Sequence, residues 1–189
     1  VKDQGLPEGV FSLLIGAGRK LGEALVAHPA VKAVGFTGSR QGGLALVNIA
    51  NARPEPIPVY AEMSSINPVF LFPGALAARA EAIGKAFADS LTMGAGQFCT
   101  NPGLVLAVDG PDLQRFVSAA GEALAGKAAQ TMLTPGIHEA YRSGTAKVDA
   151  VAGVDKIAQG VPAGDQPNAA QAALYVTDAQ RLLASPDLE

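Results

Sequence analysis

The feature that most constrains the fold is an alternation near the start of the chain. Two short apolar runs, "VFSLLI" (10–15) and "VKAVGFT" (31–37), alternate with two segments of helical character, "GRKLGEALVAH" (18–28) and "GSRQGGLALVNIANA" (38–52). Short apolar runs closed by turn residues read as strands. Leu21 and Leu25 lie one helical turn apart, and His28-Pro29 ends that helix. Strand, helix, strand, helix in this order predicts parallel strands joined by right-handed crossovers, an α/β fold with a parallel sheet.

The rest of the chain continues the mixture. "RPEPIP" (53–58) places proline at every second position, which suits an extended connector and marks the only plausible lobe boundary. "VYAEM" and "NPVFLF" are strand-like. Leu76, Ala80, Ile83, Phe87 and Leu91 recur every three or four residues, the buried face of a long helix from Ala75 to Leu91. "GLVLAVDG" (103–110) reads as a strand. Pro111 then opens a helix striped by Leu113, Phe116, Val117, Ala120 and Leu124. Residues 137–158 read as helix, 159–168 as loop, "AALYVTD" as strand and "DAQRLLAS" as a last helical turn.

Bulk properties exclude several classes of function. Hydrophobic residues make up 49% and charged residues 16%, so 189 residues can bury a substantial core. A net charge of −3 offers no basic footprint for nucleic acid. No apolar run approaches the roughly 20 residues that span a bilayer. His28 and His138 stand too far apart for metal-site spacing and read as surface or loop residues. The single cysteine, Cys99, cannot form an internal disulfide, which fits a reducing cytoplasm. Val1 and the closing "LLASPDLE" give both ends the look of cuts, so an internal piece of a longer chain is expected.

Several positions could carry chemistry. "GFTGSRQGG" (35–43) stands where a strand gives way to a helix, and unpaired N–H groups there attract phosphate. Gly38 and Gly43 frame it and Ser39 adds a hydroxyl; a tight β–α turn with glycines kept for geometry explains the same residues. "GAGRKLG" (16–22) approaches a dinucleotide fingerprint, but one extra residue precedes its last glycine and the usual downstream acid is missing, so it reads better as a turn. Glu62 ends an apolar strand. It is either a carboxylate tuned by burial to act as a base or a solvent-facing strand end. Cys99 sits in "LTMGAGQFCTNPG" (91–103), where glycines and Asn-Pro-Gly make a loop. A loop thiol can be an activated nucleophile, while a free cysteine is commonly an inert small hydrophobe.

Taken together and in order, these segments resemble the aldehyde dehydrogenase superfamily. "AVGFTGSRQGG" resembles its cofactor-phosphate turn and helix. "AEMSSINPVF" resembles its general-base segment, with Met-Ser-Ser-Ile where the family commonly has Leu-Gly-Gly-Lys. "GAGQFCTNPG" resembles its nucleophile loop, whose common form is Gly-Gln-x-Cys. "GLPEGVFSLLIGAG" and "LLASPDLE" match the family's texture, and the Met-Ser-Ser-Ile-Asn-Pro-Val-Phe variant is similar to the branch that oxidises α-ketoglutaric semialdehyde.

The resemblance implies an aldehyde-dehydrogenase-like fold, with residues 1–62 the C-terminal part of the dinucleotide-binding domain and 63–189 a partial catalytic domain. It implies Cys99 as nucleophile, its backbone N–H as an oxyanion donor, and Glu62 as the base that activates water. It further implies Thr37 beside the nicotinamide, Gly38 to Gly43 with Ser39 around the pyrophosphate, and Gly18 and Gly22 bordering the adenine. The cofactor would be NAD or NADP, the substrate a small aldehyde, and the whole enzyme a cytoplasmic homo-oligomer. The family's Glu-x-Phe-Gly-Pro segment, upstream asparagine, ribose-side lysine and oligomerisation strands are missing, so the isolated chain is expected to lack turnover. A fold-retaining binding module, or a thiol peroxidase or hydrolase without nicotinamide, would share Cys99; the phosphate turn argues against the thiol enzymes.

Overall fold

The computed structural model describes residues 2–16, 18–185 and 188. Val1, Ala17 of the "GAGRKLG" segment, and Pro186, Asp187 and Glu189 of the closing segment lie outside the described residues. The chain divides into two compact units, Val1–Ser64 and Ser65–Glu189. The division falls after Ser64 rather than in the proline-rich connector. Ile57 of that connector is buried in the first unit's core, which explains the difference.

The first unit is built on a strand–helix–strand crossover. Helix α1 (Lys20–Ala27) precedes strand β1 (Val34–Thr37), helix α2 (Arg40–Asn51) and strand β2 (Val59–Glu62). The strands pair in parallel, Val34 opposite Val59 and Thr37 opposite Glu62, so the expected parallel arrangement is made by β1 with the "VYAEM" run. Val26, Ala50 and Ile57 form the buried centre, with Val34, Leu46 and Val59 against it. The Arg53 guanidinium donates to the carbonyl of Val26 at 2.9 Å, tying the end of α1 to the exit of α2.

The expected strand at 10–15 does not form. "VFSLLI" has no regular structure, and its apolar side chains stand exposed, Ile15 by 89%. A strand is stabilised by a partner's backbone, and among the described residues no strand pairs with this run.

The second unit begins with the same crossover. Strand β3 (Val69–Leu71), helix α3 (Pro73–Thr92), strand β4 (Val105–Ala107) and helix α4 (Pro111–Ala125) follow in order, and β3 pairs with β4 in parallel. Leu71, Leu76, Ala80, Phe116 and Ala120 make the core, and the Phe87 and Phe116 rings meet at 5.7 Å. Small residues let α3 and α4 approach closely: a Cβ on Gly84 would stand 2.7 Å from the Phe116 carbonyl oxygen and 2.9 Å from the Ala120 nitrogen. Arg115 on α4 bridges Glu81 on α3 and Asp112 on its own first turn.

The C-terminal part is antiparallel. Strand β5 (Gln130–Thr131) pairs with β7 (Ala169–Ala170), and β6 (Asp155–Gln159) pairs with β8 (Ala173–Val176), while helices α5 (Pro135–Asp149) and α6 (Ala179–Ala184) complete the unit. The helix expected over 137–158 therefore stops at Asp149. Gly153 takes a φ of +78° in the turn that follows, and residues 155–159 pair with β8 instead of continuing the helix. Asp149, Lys156 and Tyr175 close this corner, the Lys156 ammonium and the Tyr175 hydroxyl both donating to the carboxylate.

Candidate active site

Four of the expected residues meet at one end of the first unit's strand pair. Thr37 and Glu62 are register partners at the C-terminal ends of β1 and β2, and the Gly38 N–H donates to the Glu62 carbonyl at 3.0 Å. Open α/β sheets place ligands outside the carboxyl ends of their strands. Glu62 is exposed, the solvent-facing alternative for a strand-end carboxylate.

Helix α2 starts immediately beyond. The Ser39 hydroxyl caps it by accepting from the Gly42 N–H at 3.2 Å, and the Ser64 hydroxyl accepts from the Arg40 N–H at 3.2 Å. Two of the helix's unpaired donors are therefore held by the protein's own hydroxyls. The two framing glycines differ. Gly38 is exposed but a Cβ there would stand 2.6 Å from the Phe36 ring, whereas Gly43 is buried and a Cβ there would stand 2.6 Å from the Met63 sulfur. Gly43 thus lets the helix close onto β2. Gly18, at φ +85°, and Gly22 have open space where a side chain would go, and they stand at the head of α1 rather than in this turn.

Cys99 belongs to the second unit. It is exposed, in a turn between the end of α3 and the start of β4, so it is not a core hydrophobe. The approach to it is a 3-10 turn over Met93–Gly96, in which Gly94, Ala95 and Gly96 all have positive φ. Left-handed backbone is costly for alanine, and it persists only when its surroundings hold it. Here Gln130 does so: its side chain accepts from the Ala95 N–H and donates to the Thr92 carbonyl, both at 2.9 Å. Gln97 accepts from the Leu133 N–H at 3.1 Å. On the far side of the thiol, the Asn101 amide donates to the Leu91 carbonyl at 2.8 Å.

The strongest brace comes from residues that sequence reasoning passed over. The Ser65 hydroxyl and the Asn67 amide both donate to the Cys99 carbonyl at 2.7 Å, and the Asn67 amide also reaches the Asn101 carbonyl at 3.0 Å. The only sequence signal was an asparagine ahead of Pro68. Nothing local says that its side chain reaches a residue so far along the chain. Among the described residues no group of three or more His, Cys, Asp or Glu could hold a metal ion, and no helix is long and apolar enough to cross a membrane.

Comparison with known proteins adds to this geometry. The chain is 64% identical over 186 residues to alpha-ketoglutaric semialdehyde dehydrogenase 2 of Azospirillum brasilense, covering 98% of this chain and 35% of that protein. It is 43% identical over 144 residues to the alpha-ketoglutaric semialdehyde dehydrogenase of Acinetobacter baylyi, covering 76% of this chain and 27% of that one. Among solved structures, gamma-glutamyl-gamma-aminobutyraldehyde dehydrogenase from Burkholderia cenocepacia superimposes with a TM-score of 0.74 at 19% identity, over 94% of this chain and 37% of that chain. That likeness shows the aldehyde-dehydrogenase fold. The chain spans about a third of the length of the curated relatives it matches. The profile of the aldehyde dehydrogenase family matches residues 1–175, and the chain belongs to that family.

Proposed function

We propose that this chain carries the nucleophile, the water-activating base and part of the cofactor surface of a dehydrogenase that oxidises an aldehyde to a carboxylic acid. The substrate is an acidic semialdehyde of the α-ketoglutaric semialdehyde class. The observation that carries the reading is an exposed Cys99 on a strained, multiply braced loop, in a chain 64% identical to a protein named for that reaction. The first unit is the C-terminal part of the dinucleotide-binding domain and the second a partial catalytic domain.

The exposed end of α2 suits a dinucleotide phosphate. Gly38 is exposed, Ser39 supplies a hydroxyl, and the helix dipole favours negative charge. Thr37, Gly38 and Ser39 would hold NAD or NADP there, with Gly43 fixing the helix behind them and Gly18 and Gly22 toward the adenine. When bound, the cofactor accepts a hydride.

The Cys99 thiolate attacks the aldehyde carbon to give a thiohemiacetal, whose oxyanion is stabilised by hydrogen-bond donors including the Cys99 N–H. Loss of hydride leaves a thioester on Sγ. The Glu62 carboxylate takes a proton from water, the hydroxide adds to the thioester carbon, and the C–S bond breaks to release the acid and the thiolate.

The test uses a full-length chimera in which this chain replaces the matching stretch of the Azospirillum brasilense protein. Cys99→Ser should abolish turnover of the semialdehyde while leaving the melting temperature nearly unchanged. Glu62→Gln should leave a burst of reduced cofactor followed by a weak steady state. Retained turnover in the Cys99→Ser chimera would sink the assignment. A second reading rests on the chain's length: these 189 residues alone keep the fold without turning over. It fails if the purified chain reduces NAD or NADP at the chimera's rate.

A further inference from the structure

Resting on the dehydrogenase reading above, we propose that Asn67 is a positioning residue that fixes the nucleophile loop by donating to the backbone on either side of Thr100. Its Nδ2 lies 2.7 Å from the Cys99 carbonyl, 3.0 Å from the Asn101 carbonyl and 3.3 Å from the Ser65 hydroxyl. Carbonyl oxygens only accept, so the amide nitrogen and not Oδ1 must face them. With two hydrogens on that nitrogen, the two shorter contacts take one each.

The backbone of Asn67 is set for this reach. Its φ is +47°, in the left-handed region, and Pro68 follows it. A residue before proline is pushed toward extended backbone, so this conformation is held at a cost, and asparagine is one of the few side chains that tolerate it. Ser65 donates to the same Cys99 carbonyl, so that oxygen accepts two hydrogen bonds and the 99–100 peptide is held against flipping. The Gly103 N–H donates to the Ile66 carbonyl at 2.9 Å, which sews the exit of the loop to the same segment. Cys99 itself is exposed, so little packing orients its sulfur; the backbone that carries it is what aims it. Aim matters because acylation requires the sulfur and the carbonyl carbon in a near-attack geometry.

Asn67→Gly separates the two roles, since glycine adopts the left-handed backbone freely but donates nothing. Asn67→Asp keeps the shape and replaces donors with acceptors. In this chain, hydrogen exchange across residues 97–103 should rise about tenfold in both variants, with helices α3 and α4 unchanged, as expected for losing two hydrogen bonds. In the chimera, both variants should lower the burst rate of cofactor reduction on the order of tenfold with KM little changed, while alkylation of Cys99 by iodoacetamide proceeds at the parent rate. Exchange and burst rate at parent values in Asn67→Gly would overturn the proposal and leave only a backbone requirement. If the chimera turns over and Cys99→Ser abolishes it, the dehydrogenase reading stands whatever Asn67 does. If the unsubstituted chimera is silent, that reading fails, and the exchange measurement still decides whether Asn67 braces the loop.

Discussion

The turn after β1 and the loop after α3 do comparable work on opposite plans. The first is two residues long, and its hydrogen bonds come from Ser39 within it and from the adjoining β2 exit at Glu62 and Ser64. The second runs from Met93 to Leu104, carries three left-handed residues before the thiol, and is held by Ser65, Asn67 and Gln130, all distant in sequence. A helix N-terminus shapes itself from local rules. A loop that departs from regular backbone needs a scaffold on several sides, and the price is sensitivity to changes far from it.

The largest expected effect falls on that scaffold. In Gly84→Val, the new side chain would meet the backbone of α4 at Phe116 and Ala120, which cannot give way as a flexible side chain would. The second unit should lose about 3 kcal/mol of stability, read as a lowered urea midpoint, with hydrogen exchange rising in residues 93–103. An unchanged midpoint would mean that the α3–α4 seam does not support the loop.

A smaller effect is expected from the local plan. Ser39→Ala removes the cap on α2 and should cost about 1 kcal/mol, while Ser39→Asp should restore most of it. Exchange in residues 93–103 should stay at the parent rate in both. If Ser39→Ala loosens the thiol loop, the contrast between the two plans is wrong.

The mildest test concerns alkaline pH. Burial first, then the hydrogen bond to Asp149 and that carboxylate's charge, push the Tyr175 phenol well above its usual range. A raised folded value favours the protonated phenol, so the contribution is fully present below about pH 10. It is lost as pH rises through the folded value. The melting temperature should be level near neutrality and fall above about pH 10, with a shallower fall in Tyr175→Phe. Equal slopes would remove the corner formed by Asp149, Lys156 and Tyr175 from the second unit's stability.

Legibility in the sequence follows the same division. Helices α3 and α4 could be read because their apolar stripes are local, and β1 and β2 because a crossover leaves them one arrangement. "VFSLLI" has the composition of a strand, but composition cannot say whether a partner is at hand. The end of α5 was missed because the antiparallel pairing of β6 with β8 competes for residues that otherwise suit a helix. At the candidate site, Cys99 and Glu62 were visible as residue types in motifs. Ser65 and Asn67 were not, because their reach depends on one left-handed backbone angle and on tertiary placement.

The order of the braces along the chain has a consequence for biosynthesis. Ser65, Ile66, Asn67 and Asn101, which supply the bonds around the thiol and the exit of its loop, all precede β6 at Asp155, whereas Gln130 stands in β5, whose partner β7 is Ala169–Ala170. Chains leave the ribosome N-terminus first, at roughly 5–20 residues per second, and fold as segments become available. The crossover from β3 to α4 and the braces from Ser65 to Asn101 can therefore assemble before β6 and β8 have been synthesised, while the Gln130 brace waits for β7. On a stalled nascent chain ending near residue 150 and clear of the exit tunnel, the exchange protection of residues 99–103 should already approach its final value, while that of Ala95 should rise only once β7 has emerged.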